Sequence, residues 1–512
     1  MSKIKTLSCD VLVVGSGAAG LRAAIEAFDR KADVLIVGKS SFGDAHSKLA
    51  AGGINAALGS ANPQDNWLVH AADTFQEGGK LGNPKMVEVL AKNAPDCIFG
   101  LSSFGVKFAR GKDGKILQRP YGAQTFPRTC FVGDYTGKAI MQSLVKKVKR
   151  LGIKQRDSIY IAGLLTNGKR IAGCFGIDFK RGEFLVLRAK AVIIAMGGYS
   201  RIYSNSSSRP FESMGFGCFL ALKNGLELLD MEMVQFHPTG MTWPKSAQGK
   251  LVTEAVRSEG GILLNSKGER FMKKYSPKEM ELSARDVVAR AIFMEILEGR
   301  KTKNNGVWLD LTNVSKEKIL TRVPQTFRQF KKFQGIDISK QKMEVAPTAH
   351  YSMGGIAVNP LDTSTALQGL FAVGEVTGGL HGGNRLGGNS LAETIVFGKI
   401  AGKTSSEFAA KNVLPVVELV QVEKFSKGVL AFFKKGSFSP QKLRLELQQL
   451  MWAHAGVIRD ANSLKEGLKK LQVLEKKLTN LSVSGKIKKN SALVVALDTT
   501  SLALIARAVL ES

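Results

Sequence analysis

Cysteine is scarce in this chain of 512 residues. The five cysteines are odd in number and widely scattered, at Cys9, Cys97, Cys130, Cys174 and Cys218. This distribution fits neither a disulfide framework nor the spacing of metal ligands. We therefore interpret the cysteines as reduced thiols in a reducing compartment, and we expect no metal site.

Long apolar runs are also lacking. The longest, such as residues 191–196, have the length of a strand, far below the roughly 18 consecutive apolar residues of a membrane-spanning helix. Only a few Lys and Ser positions separate Met1 from an apolar strand at 10–14, which leaves no room for a signal peptide. We expect a cytoplasmic protein with no transmembrane segment, held at the inner face of a membrane only through partner subunits.

Acidic residues are few relative to basic ones. There are 43 Asp and Glu against 73 Lys and Arg, which gives a net charge of +30. Such a surplus suits an anionic partner surface or the steering of an anionic substrate, and it can equally be a general solubility trait. No basic motif interleaved with aromatic residues accompanies it, so direct binding of nucleic acid is not expected.

Glycine, by contrast, is plentiful and well placed at the start of the chain. A strand at 10–14 is followed by Gly15-Ser16-Gly17-Ala18-Ala19-Gly20, an alanine-rich helix to about Asp29 and a second strand at 33–37. This strand–turn–helix order predicts a dinucleotide site with the pyrophosphate at the helix N-terminus. The acidic residue that usually follows the second strand is replaced by Lys39 and Ser40, which disfavours NAD and leaves FAD open.

Two later segments repeat the pairing of an apolar strand with glycine. Residues 191–196 run into Gly197 and Gly198, and residues 370–374 end before Glu375. We predict one parallel sheet assembled from distant segments. Ser390 and Glu393 have the spacing of a capping box at the start of an apolar helix.

The composition changes along the chain and predicts an α/β protein. A Rossmann-like dinucleotide domain would carry an inserted α+β capping domain and a C-terminal helical domain. The predicted divisions are residues 1–225 and 346–404 for the first domain, 226–345 for the insertion, and 405–512 for the helical tail.

Several long motifs together resemble one family. They are His46 followed six residues later by Gly52-Gly53, the strings MVQFHPTG at 233–240 and LVTEAVRSEGG at 251–261, MELSARD at 280–286, PTAHYSMGG at 347–355 and HGGNRLGGNS at 381–390. These strings resemble the flavoprotein subunits of succinate dehydrogenase and fumarate reductase, to which L-aspartate oxidase is related.

The resemblance implies a role for each matching residue. It implies that FAD is bound, covalently through His46, and that the substrate is a C4-dicarboxylate. Substrate carboxylates would be held by His237, Thr253, His350 and Arg385. Proton transfer would involve Arg285, Glu254 and Arg257. The cofactor would contact Gly15, Ser16, Gly17, Ala18, Ala19, Gly20, Lys39, Ser40, His46, Ala51, Gly52, Gly53, Asp134, Gly197, Gly198, Glu375, Arg385, Ser390 and Leu391. The partners implied are a membrane anchor and, linking it to this chain, an iron–sulfur subunit.

The chemistry of these residue types agrees with such roles. Imidazole and hydroxyl groups can donate to carboxylate oxygens, and arginine can hold a carboxylate with two parallel bonds. A guanidinium does not ordinarily release a proton, since its pKa lies above about 12. Arg285 would therefore have to pass a proton on as charge develops in the substrate and be refilled by a relay.

The sequence departs from the family pattern at several points. Lys48 and its neighbours follow His46 where a threonine and small apolar residues are usual, and Ala284 replaces a proline. Phe216 stands where the family has an aspartate that contacts FAD. The chain stops at Ser512, where related flavoproteins continue into a further short domain, which bears on docking of an iron–sulfur partner.

We therefore expect interconversion of succinate and fumarate by hydride transfer to or from FAD. L-aspartate oxidase is the nearest alternative, and His46 and Met353 favour the dehydrogenase. A flavin-binding or nucleic-acid-binding protein without catalysis is a further alternative. The joint presence of His237, Arg285 and Arg385 argues against lost catalysis.

Overall fold

The computed structural model describes residues 4–434 and 436–512. Within these residues the strands, in chain order, are β1 (Ile4–Val14), β2 (Val34–Gly38), β3 (Ile54–Asn55), β4 (Gln118–Arg119), β5 (Thr129–Cys130), β6 (Lys154–Asp157), β7 (Ile159–Asn167), β8 (Arg170–Asp178), β9 (Glu183–Ile194), β10 (Leu228–Leu229), β11 (Val234–Met241), β12 (Ile262–Leu264), β13 (Val307–Asp310), β14 (Met343–Ser352), β15 (Gly355–Ile356) and β16 (Leu370–Ala372).

The helices of the same residues, also in chain order, are α1 (Ala18–Asp29), α2 (Trp67–Glu77), α3 (Pro84–Ser103), α4 (Thr136–Leu151), α5 (Phe216–Lys223), α6 (Ala255–Ser258), α7 (Met272–Tyr275), α8 (Arg285–Leu297), α9 (Lys316–Arg322), α10 (Pro324–Gln334), α11 (Asn389–Ala410), α12 (Leu419–Ala431), α13 (Pro440–His454), α14 (Ala461–Leu478) and α15 (Ser491–Glu511). Short 3-10 turns cover His46–Leu49, Ser200–Ile202 and Met280–Leu282.

The largest sheet carries the predicted dinucleotide fold. Its strand order is β6-β2-β1-β9-β8-β7, and β16 also pairs with β9. Strands β6, β2, β1, β9 and β16 are parallel, whereas β8 and β7 add an antiparallel extension. The predicted strand–helix–strand opening and the parallel sheet built from distant segments are confirmed.

Both faces of this sheet are covered, which explains its apolar strands. Val11 to Val14 of β1 are all buried, because one hydrophobic core lies on each side of the sheet. Strands buried on both faces read as continuous apolar runs, as these do. Strand β1 begins at Ile4, earlier than predicted, because its polar first half pairs with β9 along the exposed end of the ladder.

A second sheet covers the edge of the first sheet at which its parallel strands end. It is antiparallel, with strand order β11-β14-β13-β12, and it encloses a third core together with residues of α6 to α10. The predicted division into domains stays a prediction. Strand β14 runs through its boundary at 345/346, and α11 runs through the one at 404/405.

The C-terminal helices α13, α14 and α15 pack on one another, and α15 also packs on α5. Helix α15 is long and apolar enough to span a membrane by length and composition, although 67% of its apolar window is buried inside the fold. No long run of consecutive apolar residues marks this helix in the sequence, because Asp498 and its polar neighbours interrupt the run. We interpret α15 as a core helix, since a helix that is apolar all round is usually buried.

The predicted capping box at Ser390 and Glu393 is wrong. Helix α11 begins at Asn389 with Gly388 as its N-cap, at a φ of 92°, so Ser390 lies in the first turn. Glu393 is buried and faces inward, where it accepts a hydrogen bond from Tyr351 and lies 3.1 Å from Nε2 of His381. The left-handed turn needs glycine, because a side chain at 388 would overlap that of Asn55.

Candidate functional site

A cavity of about 1420 Å³ opens at the carboxyl ends of the parallel strands, beneath the second sheet. In open α/β sheets this edge is where ligands bind. The predicted cofactor residues that line the cavity are Gly15, Ser16, Gly17, Ala18, Ala19, Lys39, Ser40, His46, Ala51, Gly52, Gly53, Asp134, Gly197, Glu375, Arg385, Ser390 and Leu391. Gly20 and Gly198 lie behind this lining.

The turn from β1 into α1 has the shape of a phosphate cradle. Gly15 has a φ of 120°, and a Cβ there would overlap the carbonyl of Ala195. A Cβ at Gly20 would overlap the carbonyl of Gly15, so this glycine allows the helix to pack tightly on the turn. The N-terminus of α1 thus meets the cavity, where its N–H groups and dipole favour a pyrophosphate.

A buried carboxylate from the end of the chain reaches the other side of the cradle. Asp498 of α15 is fully buried, and its carboxylate lies 3.1 Å from Nζ of Lys39 and accepts a hydrogen bond from Tyr160 at 3.0 Å. Phe216 packs edge-on against Tyr160, with ring centroids 4.9 Å apart. An aromatic wall thus stands where the family has an aspartate, and Lys39 takes its counter-charge from α15.

His46 lies on a 3-10 turn in the cavity wall. Its Nδ1 is 3.8 Å from the carboxylate of Glu212. Arg209 forms ion pairs with both Glu212 and Asp44. Burial lowers the pKa of His46, but Glu212 outweighs burial, so the pKa is raised overall. Glu212 was not singled out from the sequence, since nothing in its local pattern marks it.

Two of the predicted carboxylate ligands come from neighbouring strands of the second sheet. His237 on β11 and His350 on β14 lie with ring centroids 5.4 Å apart. Nδ1 of His237 is 3.2 Å from the backbone of Thr239, and Nδ1 of His350 is 2.8 Å from the hydroxyl of Ser207. In each ring the second nitrogen is therefore left for a ligand.

Both imidazoles are held in the neutral form. Burial lowers the pKa of His237 well below its usual value, and Arg285 and Arg257 add to the shift. Burial likewise lowers the pKa of His350, with further contributions from His237 and Arg385. A neutral imidazole can still donate one hydrogen bond to a carboxylate oxygen.

Arg285, Glu254 and Arg257 form a chain of charges. Nε of Arg285 donates to Oε2 of Glu254 at 2.8 Å, and the same oxygen lies 3.9 Å from Nη2 of Arg257. Arg285 and Glu254 line the cavity, whereas the side chain of Arg257 is fully buried behind them. Burial alone would raise the pKa of Glu254, but the two arginines outweigh it and lower the pKa to about 2.

Gln235 joins the two arginines that face the cavity. Its carbonyl oxygen accepts from Nη1 of Arg285 at 3.0 Å and from Nη2 of Arg385 at 2.8 Å. Sequence reasoning missed this residue, although Gln235 precedes His237 by two positions on β11. Residues two apart on a strand point to the same face, so the strand period could have identified it.

Arg385 is enclosed by several aromatic and charged groups. Its guanidinium lies 4.4 Å from the centre of the Tyr351 ring, and burial together with Arg285 lowers its pKa to about 10. Glu375 accepts from the backbone N–H of Ser352 at 3.1 Å, and burial raises the pKa of Glu375 to about 7.

Asp134, another predicted cofactor residue, is also buried. Its carboxylate accepts a hydrogen bond from the backbone N–H of Gln325 at 2.9 Å.

In the parts of the chain that the structure describes, no group of three or more His, Cys, Asp and Glu is arranged to hold a metal ion. All five cysteines are free and buried. Burial raises the pKa of Cys9 and Cys130 to about 12 in each case, which makes both thiols poor nucleophiles.

Comparison with known proteins gives the same picture at the level of the family. The model of the FAD binding domain matches residues 10–391, and the model of the fumarate reductase flavoprotein C-terminus matches residues 444–512. One of the subunits of the CoM/CoB fumarate reductase of Methanothermobacter marburgensis is 42% identical over 98% of this chain and 91% of its own length. The succinate dehydrogenase flavoprotein subunit of Rickettsia bellii is 36% identical over 96% of this chain and 86% of its own.

Solved structures of similar proteins have the same fold. Mycobacterium smegmatis Sdh1 in complex with UQ1 superposes with a TM-score of 0.90 at 41% identity, covering 99% of this chain and 87% of that one. A variant of E. coli quinol fumarate reductase superposes with a TM-score of 0.94 at 30% identity, covering 99% of this chain and 89% of that one.

The parallel sheet, its glycine turn and the matching domain model define an FAD-dependent oxidoreductase. The chain belongs to the family of fumarate reductase and succinate dehydrogenase flavoprotein subunits.

Proposed function

We propose that this protein interconverts succinate and fumarate, as the catalytic flavoprotein subunit of a larger oxidoreductase. One observation carries the proposal: a single cavity collects neutral imidazoles, a buried arginine and an arginine–glutamate relay beside the glycine turn. Groups able to bind carboxylates and to pass a proton thus lie in one cavity. The names of relatives at 36% and 42% identity support the same chemistry.

Each carboxylate of the substrate would have its own donors. His237 and Thr253 line one part of the cavity and would hold one carboxylate, while His350 and Arg385 would hold the other. Arg385 suits a carboxylate in particular, because its planar fork can make two parallel hydrogen bonds. Fixing both ends of a short dicarboxylate orients the carbons between them, which is a large part of the catalysis.

The proton would move along the chain of charges. Arg285 would hand it to the substrate carbon and be refilled through Glu254 and Arg257. Arg257 donates to the backbone carbonyl of Glu281, whose carboxylate is paired with Arg270. The side chain of Arg270 is 37% exposed, so this row of charged groups extends from the cavity towards solvent.

The residues present fit FAD. The glycine turn excludes side chains where the pyrophosphate would lie, and Lys39 and Glu375 stand in the cavity wall on either side. FAD, when bound, supplies the hydride transfer that no side chain can perform.

The test uses protein loaded with FAD. We expect fumarate to be reduced when a reduced dye donates electrons, and succinate to be oxidised when an oxidising dye accepts them. Apoprotein is the control and should do neither. Peroxide formation on L-aspartate with no reaction of fumarate would replace the proposal by L-aspartate oxidase.

Covalent attachment of FAD through His46 is also part of the proposal. His46 lines the cavity, and Glu212 lies beside Nδ1, which leaves Nε2 as the nitrogen for a bond to the flavin. We predict that acid precipitation leaves flavin on the protein and that peptide mass analysis finds it on the His46 peptide. His46→Ser should release all flavin into the supernatant while still binding it before acid treatment.

Complete release from the wild type would contradict the covalent bond. It would leave the substrate class intact if fumarate were still reduced. Lys48, whose amine lies 3.4 Å from Asp44, would then be the first position to change, because it departs from the family pattern beside His46.

Partners follow from the same proposal. The relatives are named as subunits, and we propose an iron–sulfur subunit that carries electrons to or from the flavin and a membrane anchor behind it. The protein would then lie on the inner face of the cell membrane.

A further inference from the structure

A chain of hydrogen bonds leads from the two arginines of the cavity to a pair of carboxylates behind them. Gln235, which accepts from Arg285 and Arg385, turns its amide nitrogen away from the cavity. That nitrogen donates to Oδ1 of Asn384 at 2.7 Å and to the backbone carbonyl of Arg385 at 2.9 Å. Gln235 and Asn384 are 3% and 9% exposed, so side chains rather than bulk water decide how they point.

Asn384 in turn faces two acids. Its amide nitrogen donates to Oε1 of Glu77 at 2.8 Å and to Oδ1 of Asp286 at 3.1 Å. Glu77 is the last residue of α2, and Asp286 follows Arg285 at the start of α8. Three separate parts of the chain therefore meet at this amide.

The carboxylates determine the direction of the whole chain. An ionised carboxylate only accepts hydrogen bonds, so Asn384 must turn its NH2 group towards Glu77 and Asp286. Its carbonyl then faces Gln235, which must donate a hydrogen bond from its own NH2 group. The carbonyl of Gln235 is thereby left for the two arginines.

We propose that Glu77 is a positioning residue of the reaction, which acts through Asn384 and Gln235 to hold Arg285 and Arg385 in place. This inference rests on the proposed function. Asp286 shares the task from the other side of Asn384. Neither carboxylate hydrogen-bonds either arginine of the cavity. Their influence passes through two neutral amides.

The charges around Glu77 make its effect sensitive to pH. Asp286 and Glu254 face it as anions, Arg285 and Arg385 as cations, and Asp286 is also paired with Arg290 at 2.7 Å. Burial, followed by Asp286, raises the pKa of Glu77 to about 7. Above this pH the carboxylate only accepts, whereas below it the protonated group can also donate and no longer helps Asp286 to fix the amide of Asn384.

Protons can reach these groups without crossing the main cavity. A second cavity of about 270 Å³ borders Gln235, Asn384 and Asp286, and the side chain of Asp286 is 37% exposed. This cavity brings solvent to the amide of Asn384, which Glu77 and Asp286 share.

Two substitutions separate the acceptor from the charge. Glu77→Gln keeps an oxygen that can accept from Asn384 but does not titrate, and Glu77→Leu removes both properties at similar size. Steady-state kinetics with fumarate would be measured for each variant across the neutral pH range. Glu88→Leu on α3 is the matched control, since Glu88 pairs with Lys85 and Lys92 at the surface.

We expect Glu77→Leu to lower kcat/KM for fumarate by roughly 10- to 100-fold, the effect of a small misplacement of catalytic groups. Glu77→Gln should keep most of the activity at the optimum and lose the part of the acid limb near pH 7 that we expect Glu77 to cause in the wild type. Glu88→Leu should match the wild type. Calorimetry with the dicarboxylate malonate should show weaker binding to Glu77→Leu, because Arg385 would no longer be held in place.

A double substitution tests the route. If Glu77 acts through Gln235, Glu77→Leu combined with Gln235→Leu should be no worse than Gln235→Leu alone, whereas independent effects would multiply. Multiplying effects, or a pH profile of Glu77→Gln identical to that of the wild type, would overturn the inference. Wild-type protein that fails to reduce fumarate would instead overturn the proposed function.

Discussion

Replacing Arg285 by lysine is expected to reduce the rate of fumarate reduction by roughly 10²- to 10⁴-fold, the range for loss of a proton donor. Lysine keeps the charge but has a single nitrogen, so it cannot reproduce the two separate guanidinium nitrogens with which Arg285 bonds Glu254 and Gln235, at 2.8 and 3.0 Å. The proton relay and the link to Arg385 are both lost. The measurement is single-turnover oxidation of the reduced flavin by fumarate.

Binding of malonate distinguishes a proton donor from a residue that holds the substrate. Arg285→Lys should retain FAD and bind malonate nearly as tightly as the wild type, because a proton donor acts mainly in the transition state. Arg322→Lys, exposed in the last turn of α9, is the control and should be unaffected. A large loss of malonate binding in Arg285→Lys would assign the residue to ground-state binding instead.

Arg385→Lys is expected to weaken both binding and turnover. The planar fork can hold a carboxylate with two bonds, and a lysine ammonium cannot reproduce that geometry. We expect the dissociation constant for malonate to rise roughly 10- to 100-fold, with a further fall in kcat. The check is calorimetry with malonate beside steady-state kinetics with fumarate.

One outcome would contradict this prediction. Unchanged malonate binding in Arg385→Lys would show that His350 and His237 hold the dicarboxylate without this arginine. FAD content must be measured in the same samples, because Arg385 also lines the cofactor part of the cavity.

The sequence predicted most of the sheet and much of the cavity lining, for a physical reason. Strands buried on both faces must be apolar, and a turn that meets a phosphate must be glycine, so Gly15 to Gly20 and the strands beside them carry local signals. The residues of the long motifs reach one cavity because strands β11 and β14, the starts of α6 and α8 and the loop before α11 all border it.

Residues that act by contact across the fold gave no such signal. Asp498 pairs with Lys39 across 459 positions of sequence, and Asn384 meets Glu77 across 307. Neither pairing follows from a periodicity or a turn. The predicted capping box failed for a related reason: Glu393 has the right spacing from Ser390, but tertiary contacts with His381 and Tyr351 direct its side chain inward.

The contact between Asp498 and Lys39 sets an order of events during synthesis. The glycine turn leaves the ribosome among the first residues, whereas Asp498 of α15 follows Lys39 by 459 positions. N-terminal segments generally begin to fold while the rest is still being made. Until α15 has docked, Lys39 lacks its buried counter-ion and Phe216 and Tyr160 lack the helix behind them. The cavity wall beside Lys39 is therefore complete only after α15 has left the ribosome and docked.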